Sequence, residues 1–303
     1  MQERTLHSLN QHHSSMKKHS GPMDLIKTSY YIRGLIIKML ASAGSGHTGG
    51  SLGLADVFTS LYFNTINHNP DNPGDPLRDR VILSAGHVAP VLYATLSAAG
   101  YFDVSELFTL RKFGSRLQGH PARDKRLPGI ETSSGSLGQG LSIAVGMALA
   151  ARLNNQNFRI YSIHGDGELQ EGQIWEAAMS AAHYKLSAIT AIVDCNGLQI
   201  DGPVDRVMNL SPLRDKWASF GWNVLECDGH NHNEIQACFK LASQNTEAPS
   251  VVLAHTKMGK GVYTIENDNR WHGKAPNPEE ATEFLCQLNE SLKIELSKNQ
   301  EKS

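Results

Sequence analysis

The feature that most constrains this chain is the segment 188–193, AITAIV, an apolar run broken only by one threonine. A strand that is apolar along its length must be covered on both faces, as strands inside parallel sheets are. A second strand is predicted at 158–163, and between the two lies a segment of helical period. Residues 168–184 place Ile174, Ala177, Ala178 and Ala181 on one helical face. Parallel neighbours need a crossover connection, so strand, helix and strand at this spacing form a βαβ unit.

The same alternation extends outward. Further strands are predicted at 80–83, 222–226 and 250–255, and helices at 54–66, 88–99, 137–153 and 233–244. A first helix is expected from an N-cap at Asp24, with Leu25, Ile32, Leu35, Ile36, Met39 and Leu40 largely on one face. These elements predict an α/β fold: a doubly wound, mainly parallel sheet with helices on both faces. With 40% hydrophobic residues among 303, the chain has enough apolar material for a sizeable core. No repeat or linker divides it, so one domain is expected over 23–285. Residues 1–22 are polar and aperiodic and read as a disordered tail, and 286–303 as a charged C-terminal tail.

A net charge of −2 offers neither a nucleic-acid footprint nor a basic membrane-binding face. The basic stretch 111–126 is diluted by Gly, Pro and Asp and reads as a solvated loop within the longer loop 111–135. No apolar run approaches the roughly 20 residues that span a bilayer. The N-terminus has no apolar core of the signal-peptide kind. Cys195, Cys227, Cys238 and Cys286 lack metal-like or redox-like spacing, so free thiols in a cytoplasmic protein are expected.

The chemistry sits where the central strands end. The first runs into His164-Gly165-Asp166-Gly167, and the second into Asp194-Cys195-Asn196, which brings Asn196 30 residues after Asp166. Ligands of open α/β sheets bind at the carboxyl ends of strands, so the Asp166 carboxylate and the Asn196 amide oxygen are expected near one point. Two hard oxygen ligands suit magnesium, which commonly completes its octahedron with phosphate oxygens and water. Gly165 and Gly167 let backbone approach a diphosphate, and a helix starting at Glu168 would turn its positive end towards it.

GDGELQEGQIWEAAMSAAHYKLSAITAIVDCNGLQIDG resembles the thiamin-diphosphate signature in the form used by transketolases. The resemblance covers nearly the whole ordered chain, through SGHTGGSLG at 45–53, LSAGHVAPVLYA at 83–94, QGHP at 118–121, LPGIETSSGSLGQGLS at 127–142, KMGKGV at 257–262 and WHGKAP at 271–276. It implies that Asp166, Asn196 and the carbonyl of Leu198 hold Mg²⁺, and that Gly165 and Gly167 approach the diphosphate. It places Gly135, Ser136 and Leu137 near the aminopyrimidine, and His87 and His272 near the diphosphate and reaction centre. His47 and His120 face the sugar, so His47, His120 and His272 take catalytic roles. Glu171 becomes a supporting or interface carboxylate near the cofactor. Thr48, where the family usually has proline, and Cys195 depart from the pattern without touching the ligand set.

His47, His87, His120 and His272 each lie in a glycine-rich loop after a predicted element. Proton transfer among hydroxyls and carbonyls near neutral pH needs groups of this kind. His68, His183, His230, His232 and His255 read as structural. A zinc site lacks short-range ligand spacing. A magnesium-dependent phosphate-ester hydrolase would need more carboxylates. The histidine loops argue against an α-keto-acid dehydrogenase component.

In transketolases the glutamate that activates the cofactor and the pyrimidine clamp lie in a second domain. The resemblance therefore implies a split transketolase. In such an enzyme this chain would be the N-terminal, pyrophosphate-binding subunit, completed by a separate C-terminal subunit in a heterotetramer. The expected reaction transfers a two-carbon ketol unit from a ketose phosphate to an aldose, as in pentose phosphate metabolism. A specialised enzyme for an unusual sugar, and a non-catalytic subunit keeping the cofactor fold, are the alternatives.

Overall fold

The computed structural model describes residues 22–300. The tail expected over 1–22 lies outside the described residues apart from Pro22. Helix α1 (Pro22–Ala43) starts two residues before the expected N-cap, which puts Asp24 inside its first turn. Proline suits a first helical turn because its missing N–H has no partner there, and an acidic residue there favours the dipole.

Short helices α2 (Gly49–Gly53) and α3 (Ala55–Ser60) follow, then a π-helical turn over Leu61–Thr65. These replace the single helix expected at 54–66. Strand β1 (Arg80–Leu83) and helix α4 (Ala89–Ala98) come next, then the long loop and helix α5 (Gln139–Leu153). The centre is β2 (Ile160–Gly165), α6 (Gly172–His183) and β3 (Ile189–Asp194). A small ribbon, β4 (Leu198–Gln199) with β5 (Gly202–Pro203), leads into helices α7 (Val204–Met208) and α8 (Leu213–Ser219). The chain continues through β6 (Asn223–Asp228), α9 (His232–Gln244), β7 (Ser250–His255) and α10 (Pro278–Gln300).

The main sheet is parallel throughout, in the order β1-β2-β3-β7-β6. Successive side chains on a strand point to opposite faces, and the chain supplies a separate core to each. Tyr161, Ile163, Ile192, Val252 and Ala254 face one core, which α1, α3, α4, α9 and α10 complete. Ile160, Ile189, Ala191, Val193, Val251 and Leu253 face the other, closed by α5, α6 and the buried Trp217 of α8. Apolar strands with helices over both faces are the expected α/β architecture.

The C-terminal tail expected from 286 onward is instead part of α10. Ala281, Phe284, Gln287 and Leu288 are buried, and Leu292 and Leu296 pack against the core. The Trp271 and Phe284 rings meet edge-on at 5.0 Å. The charged residues that made this stretch read as a tail belong to the solvent face of an amphipathic helix.

Candidate active site

All strands of a parallel sheet end on the same edge. The segments after β1, β2, β3 and β7 converge there on a cavity of about 360 Å³. They bring His87, Asp166, Asn196 and Met258 to it, while the loop before α2 adds His47 and the stretch before α10 adds His272.

Gly165 is paired in register with Asp194, so Asp166 follows directly off the end of β2 beside Cys195. The backbone N–H of Asp166 donates to the Asp194 carbonyl at 3.1 Å. Its carboxylate accepts from the Gly167 N–H at 2.7 Å and the Gly197 N–H at 2.6 Å. The second bond ties the β2 end to the turn that carries Asn196. Burial pushes the Asp166 carboxyl up to about 6, against the pull of the two N–H groups. The Asn196 amide donates to Asp194 at 2.8 Å and its oxygen accepts from the Leu198 N–H at 2.9 Å. Asp194 also accepts from the Thr256 hydroxyl, and burial, with Asp166 nearby, pushes it up to about 7. Asp166, Asn196 and Leu198 all line the cavity.

This set fits a magnesium diphosphate. Carboxylate, amide oxygen and backbone carbonyl are hard donors, and a Cβ added at Gly165 would meet nothing within 4 Å, so the backbone there is open to a ligand. Among the described residues no group of three or more His, Cys, Asp or Glu is placed to hold a metal ion.

The helix expected from Glu168 is divided. A 3₁₀ turn over Gly167–Gln170 ends at Glu171 in an extended conformation, and the α-helix starts at Gly172. An anion at Asp166 would therefore meet individual backbone N–H groups, not the dipole of α6.

The break gives Glu168 a role that sequence reasoning missed. Its buried carboxylate accepts from the Gly138 N–H at 2.8 Å, the Gly165 N–H at 3.1 Å and the Ser84 hydroxyl. His164 Nδ1 lies 3.6 Å away, an electrostatic contact too long for a hydrogen bond. Burial alone would raise this carboxyl, but His164, Ser84 and Gly138 outweigh it and hold the group below the usual glutamate range. Glu168 thus joins the ends of β1 and β2 to the start of α5.

The rings of His47, His87 and His272 form a cluster, with centroids 5.2 Å (47–87), 5.7 Å (47–272) and 5.0 Å (87–272) apart. Burial, then the neighbouring His272, drives His47 down to about 4 and His87 to about 3, and burial lowers His272. The Nδ1 atoms of His47 and His272 are buried without a protein partner.

His120 does not line this cavity. It is exposed and its ring lies over Gly135, 3.3 Å from where a Cβ would stand. Gly135 has φ +136°, so both backbone and space call for glycine. Gly135, Leu137, Gly167 and Glu171 line the cavity, Glu171 being exposed. Ser136 does not. It opens on an adjacent cleft with Ser133 and Ser134. Gln170 and Gln199, bonded to each other at 2.8 Å, and Ile200 also reach the cavity. The NGLQIDG segment that carries Gln199 and Ile200 is plain in the sequence, but only the ribbon of β4 and β5 shows which way it turns.

The family model described as "Transketolase, thiamine diphosphate binding domain" matches residues 26–290. A subunit of the apulose-4-phosphate transketolase from Phocaeicola vulgatus is 40% identical over 265 residues, covering 87% of this chain and 94% of the relative. A 6-deoxy-6-sulfo-D-fructose transketolase subunit from Clostridium sp. is 45% identical over 244 residues, covering 80% and 88%. The crystal structure of transketolase from Campylobacter jejuni superposes with a TM-score of 0.78 at 30% identity, covering 92% of this chain and 48% of that one.

Proposed function

This chain belongs to the transketolase, thiamine diphosphate binding domain family, and from that premise we propose that it is the cofactor-anchoring subunit of a two-chain transketolase transferring a ketol unit from a ketose phosphate to an aldose. The observation that carries the reading is the Asp166 carboxylate, bonded across to Gly197 beside Asn196 and opening on a cavity walled by His47, His87 and His272.

Asp166, Asn196 and the Leu198 carbonyl would hold Mg²⁺, with the diphosphate over Gly165 and Gly167. Bound thiamin diphosphate supplies the electron sink for breaking and re-forming the carbon–carbon bond. This chain's residues bind and orient around it. An imidazole offers one ring nitrogen that donates and one that accepts, so His47, His87 and His272 can orient sugar hydroxyls. His120, on the surface over Gly135, would meet the far end of the donor. Gly135 and Leu137 would pack beside the pyrimidine, with Ser136 one step removed. Glu171, exposed beside Gly138, would meet the C-terminal subunit, and a heterotetramer would carry sites at the interfaces. That both relatives are named as subunits supports a separate partner chain.

A second reading, a specialised transketolase for a sugar outside pentose phosphate metabolism, is favoured by the substrates in those names, apulose 4-phosphate and 6-deoxy-6-sulfo-D-fructose. Donor and acceptor screening of the two-chain complex separates the two readings.

Calorimetry of the chain with thiamin diphosphate and Mg²⁺, alone and with the C-terminal subunit, tests the assignment. Asp166→Ala is expected to abolish binding. Wild-type affinity in that variant would overturn the site, and ketol transfer by the chain alone would overturn the shared one.

A further inference from the structure

Outside the cavity lies a buried ionic cluster. Arg33 of α1 is fully buried, and its guanidinium bonds Asp56 of α3 on both oxygens, at 3.0 and 2.6 Å. Its remaining reach goes to the Leu52 carbonyl at 3.1 Å and Ser29 Oγ at 3.2 Å. His230, in the loop between β6 and α9, donates from Nδ1 to Asp56 Oδ2 at 2.7 Å. Its other nitrogen, Nε2, accepts from the backbone N–H of Lys257 at 2.8 Å. A ring nitrogen that accepts an N–H carries no proton, so the network assigns His230 as the neutral Nδ1–H tautomer. Only that form makes both bonds at once.

Lys257 starts the loop on which the Gly49 helix rests. A Cβ at Gly53 would stand 3.0 Å from the Lys257 carbonyl, and one at Gly49 2.5 Å from Met258 Cγ and 3.1 Å from the Trp271 carbonyl. Gly259 N–H donates to the Gly49 carbonyl at 2.9 Å. The Ser51 hydroxyl holds the His47 carbonyl at 2.7 Å, and the Thr48 hydroxyl holds the Lys274 carbonyl at 2.6 Å. These contacts link the Lys257 backbone, through Met258 and Gly49, to the segments that carry His47 on one side and His272 on the other.

We infer that His230 is a positioning residue, a two-ended spacer between Asp56 and the Lys257 backbone that sets where the His47 and His272 rings stand in the cavity. The inference takes that cavity as the working surface, but its test reads the unliganded chain and so stands or falls separately from the proposed reaction. The relevant substitutions differ in hydrogen bonding more than in bulk. His230→Leu fills space and makes neither bond. His230→Gln offers an N–H to Asp56 and an oxygen to Lys257.

The experiment is imidazole ¹H–¹⁵N correlation spectroscopy on wild type and both variants, with His183 on α6 as a remote reporter. In wild type, His230 is expected as the Nδ1–H tautomer with an unprotonated Nε2. In His230→Leu the His47 and His272 resonances are expected to shift while His183 stays in place, and His230→Gln restores them. Unmoved His47 and His272 signals in a folded His230→Leu chain would overturn the inference, as would equal displacement by both variants. If His230→Leu does not fold, the wild-type and His230→Gln spectra decide. The Nε2–H tautomer or the cation at His230 refutes the spacer, as do displaced His47 and His272 signals in His230→Gln, and the Nδ1–H form with wild-type His47 and His272 signals in His230→Gln upholds it.

Discussion

Glu168→Gln preserves shape and removes one acceptor, so it isolates what the buried carboxylate contributes. Both oxygens are in use: Gly138 N–H and the Ser84 hydroxyl on Oε1, Gly165 N–H on Oε2. Whichever way the glutamine amide turns, its NH₂ faces at least one of those donors. Leaving a buried donor unsatisfied costs about 1–3 kcal/mol, and the bonds that remain lose the charge that strengthened them. The expected destabilisation is about 2–4 kcal/mol, or roughly 5–15 °C in Tm for a domain of this size. The assay is denaturant and thermal unfolding of both proteins across pH. Because the Glu168 carboxyl is held below its ordinary range, its contribution is present above that range and is lost as pH falls through the depressed value. The gap between wild type and variant should therefore be widest near neutrality and close as pH drops below about 4. A variant within about 0.5 kcal/mol of wild type at pH 7 would refute the account of Glu168 as a joint between three segments.

Gly135→Ala puts a methyl group at φ +136°, 3.3 Å from the His120 ring, and should cost about 1 kcal/mol or more, read by denaturant unfolding. Asp166 and Asp194 are raised to about 6 and about 7, so the folded chain holds protons there that the unfolded chain has lost. The unliganded protein should lose that stabilisation as pH rises from about 4 to 7, while Mg²⁺-dependent cofactor binding strengthens over the same window and releases protons, measurable by calorimetry in buffers of different ionisation enthalpy. His120→Ala should weaken donor use by the two-chain enzyme and spare cofactor binding, because this ring stands outside the cavity. Equal turnover by variant and wild type would remove His120 from the site.

Much of the architecture was legible in the residues. An apolar strand such as Ile189–Asp194 needs cover on both faces, as it has inside a parallel sheet, and parallel strands oblige their ends to meet on one edge. That is why Asp166 and Asn196 could be brought together before any coordinates. Local signals failed where the deciding partner is distant in sequence. Residues after 285 look like a charged tail until Gly34 of α1 offers its surface to Leu285 and Leu288. Glu168 looks like the first turn of a helix until Ser84, Gly138 and Gly165 arrive around it.

His230 marks the division. By itself the sequence determined the family, the sheet and the residues at its carboxyl edge, because periodicity and short motifs are properties of neighbours along the chain. Only the tertiary structure decided which histidines share a cavity and which one stands behind it. A histidine's role depends on the atoms facing its two nitrogens, and for His230 those belong to Asp56 and Lys257, from opposite ends of the domain.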